Sequence, residues 1–176
     1  VCADLDGDGW KEVVAAFQNV DLGRVYVYNH DGRPYIEDPG LPPGCILEVR
    51  NMLSTPLVAD LDGDGRPNII CRGGHFLGGF EEVFVWEPTG ETTPGFPVIT
   101  PPSPSQVMSS LFVPIVDDID GDGLTELILC GDDRDLFVWN LQTPFLPDQM
   151  AWPKYLGDEK NSGINHHLGN PSAVVK

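Results

Sequence analysis

One twelve-residue pattern occurs three times along the chain, as ADLDGDGWKEVV (3–14), ADLDGDGRPNII (59–70) and DDIDGDGLTELI (117–128). The leading aspartates, Asp4, Asp60 and Asp118, are 56 and 58 residues apart. A chain that repeats itself at this spacing must solve one local folding problem three times, and the three solutions must pack on each other.

The agreement continues on both sides of the acidic segment. An apolar run precedes it (STPLVA, 54–59, and SLFVPIV, 110–116), of which only VCA is present in the first copy. A second run, VVAAF, NIIC or ELILC, follows at once. A third run is RVYVY (24–28), EVFVW (82–86) or DLFVW (135–139). A turn at HDG, PTG or LQTP then leads to Gly40-Leu41-Pro42, Gly95-Phe96-Pro97 or Ala151-Trp152-Pro153. Short apolar runs divided by turn residues predict four strands per repeat, with each acidic loop joining the first to the second. The 20 Gly and 17 Pro among 176 residues favour turns over helices.

The third run predicts how the sheets assemble. Its aromatics (Tyr26, Tyr28; Phe84, Trp86; Phe137, Trp139) alternate with aliphatics (Val25, Val27; Val83, Val85; Leu136, Val138). In a strand these sets point to opposite faces, so the sheet is apolar on both and needs cover on both. Four-stranded antiparallel blades arranged radially supply that cover. The predicted fold is all-β, about three β-propeller blades at 1–53, 54–109 and 110–156, followed by a tail at 157–176.

Within each loop, oxygen donors stand at positions 1, 3, 5 and 9, with glycine at position 6 (Gly9, Gly65, Gly123). The candidate ligands are Asp4, Asp6, Asp8 and Glu12; Asp60, Asp62, Asp64 and Asn68; and Asp118, Asp120, Asp122 and Glu126. The main-chain carbonyls of Trp10, Arg66 and Leu124, at position 7, complete each set, which leaves the side chain there free to vary. Hard oxygens without nitrogen or sulfur suit calcium, at three sites. Two bare carboxylates about 4 Å apart repel by roughly 4 kcal/mol at an effective dielectric of 20, so a cation should hold each loop in shape. An EF-hand shares positions 1, 3, 5 and 6 but needs a glutamate at position 12, where this chain has Ala15, Cys71 and Leu129. From the loops alone, the second site should be the weakest, since Asn68 replaces a glutamate.

The formal charge of −17 has a local origin, because 11 of the 27 acidic residues lie in the three loops. That charge disfavours nucleic acid as a partner, and no apolar run reaches membrane-spanning length. Cys2 stands where the other copies have Val58 and Val116, and Cys71 aligns with Ala15 and Leu129. Both are expected to be small core residues, while Cys45 and Cys130 have no evident partners.

The loops and blade pattern resemble the FG-GAP repeat, also described as the integrin-like or VCBS-type repeat, over residues 1–156. The segment WPKYLGDEKNSG (152–163) is similar to one found beside such repeats in bacterial proteins. The resemblance implies calcium in the hairpin between the first two strands of each blade. It also implies further blades of the parent chain, since such propellers commonly close with seven. It points to a secreted or cell-surface protein, non-enzymatic, mediating adhesion or recognition of a protein or glycan ligand. The alternative is a scaffold or accessory domain of a secreted polysaccharide-active or hydrolytic enzyme.

Other constellations carry less. The stretch from Gly73 to Gly79 lacks the lysine of a phosphate loop and reads as a hairpin turn. Asp132, Asp133 and Asp135 fall in the turn between the second and third strands, and adjacent His166 and His167 project apart along any extended segment.

Overall fold

The computed structural model describes residues 1–19, 22–50, 52–74, 81–102, 112–131, 135–151 and 154. The described residues form three antiparallel sheets and no α-helix, with one 3₁₀ turn at Pro147–Gln149. The first sheet runs in chain order through β1 (Cys2–Ala3), β2 (Glu12–Asn19), β3 (Leu22–Tyr28) and β4 (Cys45–Val49). In the second, β5 (Met52–Leu53) and β6 (Leu57–Ala59) both pair with β7 (Asn68–Gly74), which is followed by β8 (Glu81–Trp86) and β9 (Val98–Ile99). The third holds β10 (Ile115–Asp117), β11 (Leu124–Cys130) and β12 (Leu136–Pro144).

As expected from the pattern, each acidic loop joins a short first strand to a longer second one: β1 to β2, β6 to β7 and β10 to β11. β5 and β6 together are one interrupted strand. Pro56 has no amide to donate there, and Ser54 closes the gap by giving its amide to the Arg72 carbonyl and accepting the Arg72 amide at Oγ. β5 thus lies, by its hydrogen bonds, in the second sheet.

The second sheet lies between the other two. Its Val58, Ile69, Cys71 and Trp86 share one buried cluster with Val14, Val25 and Val27 of the first sheet. Its Leu57, Ile70, Val83 and Val85 share another with Val116, Leu127 and Leu129 of the third, and Phe137 and Trp139 pack against that cluster. Both interfaces therefore obey one rule: the aliphatic face of one sheet meets the aromatic face of the next.

The flanking sheets each leave one face open among the described residues. The aromatic face of the first exposes Val13 (44%) and Phe17 (51%) beside half-buried Tyr26 and Tyr28. On the aliphatic face of the third, Leu136 is 61% and Val138 44% exposed.

Three expectations change. Cys2 is exposed rather than buried, because it lies on the open face of the first sheet, whereas Val58 and Val116 at the same position are covered. No turn forms at LQTP. The turns at HDG and PTG use Gly32 and Gly90 at φ 83° and 91°, but LQTP has no glycine, so β12 runs on through it. The irregularity is absorbed by Gln142 at φ 60° and by a register shift opposite Leu124 and Glu126. Among the described residues the third sheet shows three strands, not four, and Trp152 and Pro153 lie outside them, as do His166, His167, Asp132 and Asp133. Cys71 is fully buried as expected, and burial pushes its thiol well up.

Candidate metal centre

The three loops fold alike, and the reason is written in their side chains. In the first, Asp4 accepts the Gly7 amide at Oδ1 (2.7 Å) and the Gly9 amide at Oδ2 (3.0 Å). Asp6 accepts the Asp8 amide (3.1 Å), and Asp8 accepts the Trp10 amide (2.7 Å). Asp60, Asp62 and Asp64 hold Gly63, Gly65, Asp64 and Arg66 by the same four contacts. Asp118, Asp120 and Asp122 do so for Gly121, Gly123, Asp122 and Leu124. Such aspartate-to-amide bonds two to five residues on are the local competition that keeps a segment from continuing as strand.

Two glycines per loop are needed. Gly9, Gly65 and Gly123 at position 6 take φ of 90°, 88° and 82°, and the glycines at position 4, Gly7, Gly63 and Gly121, take 79°, 76° and 78°. The loop pattern predicts a turn only at position 6, but both glycines lie in the left-handed region that other residues adopt at a cost of about 1–2 kcal/mol.

The resulting curl gathers carboxylates. In each loop the three aspartates present one oxygen apiece within 4.8 Å of one another, in the groups Asp4/Asp6/Asp8, Asp60/Asp62/Asp64 and Asp118/Asp120/Asp122. Trp10, Arg66 and Leu124 contribute their amides to the curl. Trp10 is 59% exposed and stacks on His30, ring centroids 4.6 Å apart.

The ninth residue does something the pattern did not reveal. Glu12 Oε2 accepts the Leu5 amide (2.8 Å), Asn68 Oδ1 the Leu61 amide (2.8 Å) and Glu126 Oε2 the Ile119 amide (3.0 Å). It is a latch that ties the end of the loop to its start, and all three residues are buried. Burying a glutamate without a cation partner is costly. Among the described residues, the second oxygen of Glu126, Oε1, is buried and has no hydrogen-bond partner. The aspartates gather without the ninth residue, and three converging carboxylates with an orphaned carboxylate oxygen in the same loop are hard donors that fit a divalent cation.

The electrostatics agree with that fit. Burial raises Glu12 above the ordinary carboxylate range and Asp6, Asp8 and Asp4 push it further, against the pull of the Leu5 amide. Asp62 is raised by burial and by Asp64. At Glu12 and Asp62 the neighbouring carboxylates add to the effect of burial, a conflict that a bound cation removes.

A cleft of about 450 Å³ opens between the first two loops, lined by Asp4, Asp6, Tyr35, Arg66, Glu87 and Glu91 among others. Asp135, expected between the second and third strands, is exposed, and its carbonyl accepts the Gly131 amide (2.8 Å).

Residues 4–71 match the FG-GAP-like repeat family. The match runs from the first loop through the first sheet to Cys71 in β7, so it includes two of the three aspartate triads. No curated protein and no solved structure matches the chain.

Proposed function

We propose that this chain is a calcium-binding part of a β-propeller, non-enzymatic, in a secreted or surface-exposed protein that mediates adhesion or recognises a ligand. The observation that carries the reading is the threefold convergence of aspartates, in loops that each carry a buried latch and, in the third, an orphaned carboxylate oxygen. Calcium suits such a set better than magnesium, which keeps its waters and demands a tighter octahedron. Extracellular calcium, at millimolar levels, fills sites that the cytosol would leave empty.

The stacked sheets, covered by the rule that aliphatic faces meet aromatic ones, are the blades of the propeller, and further blades of the parent chain extend the array. Calcium stiffens the loop edge, where the cleft between the first two loops offers the recognition surface. A protein or glycan with cationic or hydroxyl groups suits its acidic lining, whereas nucleic acid does not.

The test is thermal unfolding in chelator against millimolar calcium, with the ion count from calorimetric titration. A metal bound only by the folded chain raises stability by about 4 kcal/mol at a thousandfold excess over Kd. The expected result is three ions bound and a clear rise in Tm. An unchanged Tm overturns the calcium reading, and turnover of a glycan that also binds would overturn the non-enzymatic one.

A further inference from the structure

The loops differ at position 9, where the second has Asn68 in place of glutamate, and the facing strand differs in the opposite sense. The residue after the second aromatic of the third run is Asn29 in the first sheet, Glu87 in the second and Asn140 in the third. In the third sheet, Glu126 and Asn140 are direct cross-strand partners. In the second, Ile69 pairs with Trp86, and one step further Asn68 Nδ2 donates to Glu87 Oε1 (3.2 Å). Every sheet thus carries one glutamate and one asparagine across this hairpin, and the second carries them exchanged.

The exchange fits hydrogen-bond chemistry. The latch needs an acceptor for the Leu61 amide, and Asn68 supplies it with Oδ1. An amide also has donors, and Asn68 Nδ2 spends them on Glu87 and on Thr93 Oγ1 (3.3 Å). Thr93 in turn donates to Glu87 Oε1 (2.9 Å), so the carboxylate is held in place by two partners. It also faces the loop: Glu87 lines one cleft together with Gly65 and Arg66 of the second acidic loop.

We infer that Glu87, held on the facing strand by Asn68 and Thr93, supplies the second calcium site with the negative charge that Asn68 withholds from the loop. The inference rests on the calcium reading above. It removes the ranking expected from the loop residues alone: all three hairpins carry four carboxylates around their loop, and the second is no longer expected to be the weakest. Glu87 acts through its charge and its hold on Asn68, which makes it a positioning residue for the site.

Calorimetric titration of the whole chain with calcium tests this, comparing wild type with Glu87→Gln and with the exchange Asn68→Glu/Glu87→Asn. Glutamine keeps an oxygen for Asn68 and Thr93 and loses only the charge. One of the three binding steps should weaken on the order of tenfold in Glu87→Gln, while the other two stay unchanged. The exchange variant, which copies the arrangement of the other sheets, should return that step to within about threefold of wild type.

Unfolding in chelator supplies a readout that a merely structural role would move the other way. Removing a negative charge from this acidic hairpin should leave the metal-free chain as stable as wild type or more so. If Glu87→Gln lowers metal-free stability together with affinity, and the exchange rescues neither, Glu87 is a packing residue and the inference falls. If wild type binds three ions and Glu87→Gln alters no step, the inference fails while the calcium reading stands. Wild type that binds no calcium fails the calcium reading itself.

Discussion

The second sheet and its two neighbours are built from the same repeat but live in different surroundings. In the second, Leu57, Val58 and Ala59 are all fully buried, as are Ile69, Ile70 and Cys71, so alternate side chains are covered from both sides. In the first, Val14 is buried and its neighbour Val13 is 44% exposed; in the third, Leu127 is buried while Ile115 is 38% exposed. One pattern therefore yields a core strand or a half-buried strand according to what lies beyond it. Burial here is a property of position in the stack, and the value of an interaction follows from that position.

The ion pairs give the largest expected contrast. Arg72 on β7 and Glu81 on β8 form a two-pronged pair with side chains 3% and 7% exposed, and Arg72 Nε reaches Glu81 Oε2 at 3.1 Å. Arg24 and Glu48 make a 2.8 Å pair across β3 and β4 at 27% and 39% exposure. Arg72→Met removes the cation paired with a buried carboxylate and should cost about 3–5 kcal/mol in denaturant unfolding, whereas Arg24→Met, at an exposed pair, should cost little. Equal losses would show that the middle sheet is no better covered than the first.

Two glycines at one turn position sharpen the comparison at a lower magnitude. Gly32 and Gly90 share the left-handed conformation, but a Cβ on Gly32 meets nothing within 4 Å. On Gly90 it would lie 2.5 Å from the Ile46 carbonyl oxygen in the first sheet. Gly32→Ala should cost about 1–2 kcal/mol from conformation alone. Gly90→Ala should add about 1–3 kcal/mol of crowding against β4. Matching costs would mean that the turn of the second sheet does not press on the first.

A smaller effect is expected from pH. Glu12, Asp62 and Glu87 are held above the ordinary carboxylate range, Glu12 in the first sheet and the others in the second. In chelator the folded chain therefore binds protons at these groups more tightly than the unfolded chain. Their contribution favours folding at acid pH and is lost as pH rises from the ordinary carboxylate range through the raised values. Calcium competes for the same oxygens and should cancel that decline. The measurement is Tm against pH with and without calcium; a metal-free Tm that climbs steadily from pH 4 to 7 would contradict it.

The least costly changes lie on the open faces. Val138→Asp in the third sheet should alter stability by no more than about 0.5 kcal/mol, as surface substitutions do. Wild type should self-associate in sedimentation at high concentration and moderate salt, since large apolar faces seek cover. Val138→Asp should reduce that association. A wild type that stays monomeric under these conditions would show that the open faces are not sticky.

Much of this organisation was legible in the sequence because it is local. Aspartates two residues apart and an alternating third strand fix the loop and the two-faced sheet within a few residues. The role of the first glycine of each loop is not legible in the sequence, since its need for a positive φ depends on the curl that Asp4, Asp60 and Asp118 impose. The latch was hidden because a ninth residue with a carboxylate reads as one more ligand, and its hydrogen bond to the second residue appears only when β1 and β2 pair. Glu87 was further out of reach: it lies 19 residues from Asn68, and only the length of the β7–β8 hairpin brings them together. Cys2 shows the limit of alignment between repeats, for the same position is core or surface depending on the neighbour.

The direction of stacking has a consequence for how such a chain lengthens. Both interfaces join an aliphatic face to an aromatic face in the same sense along the chain. A duplicated repeat, inserted between any two others, would arrive with both halves of the contact it needs. Growth by gene duplication then demands no newly evolved surface, and loss of one repeat leaves a junction that already matches. An array of this kind can change its length before it changes its sequence.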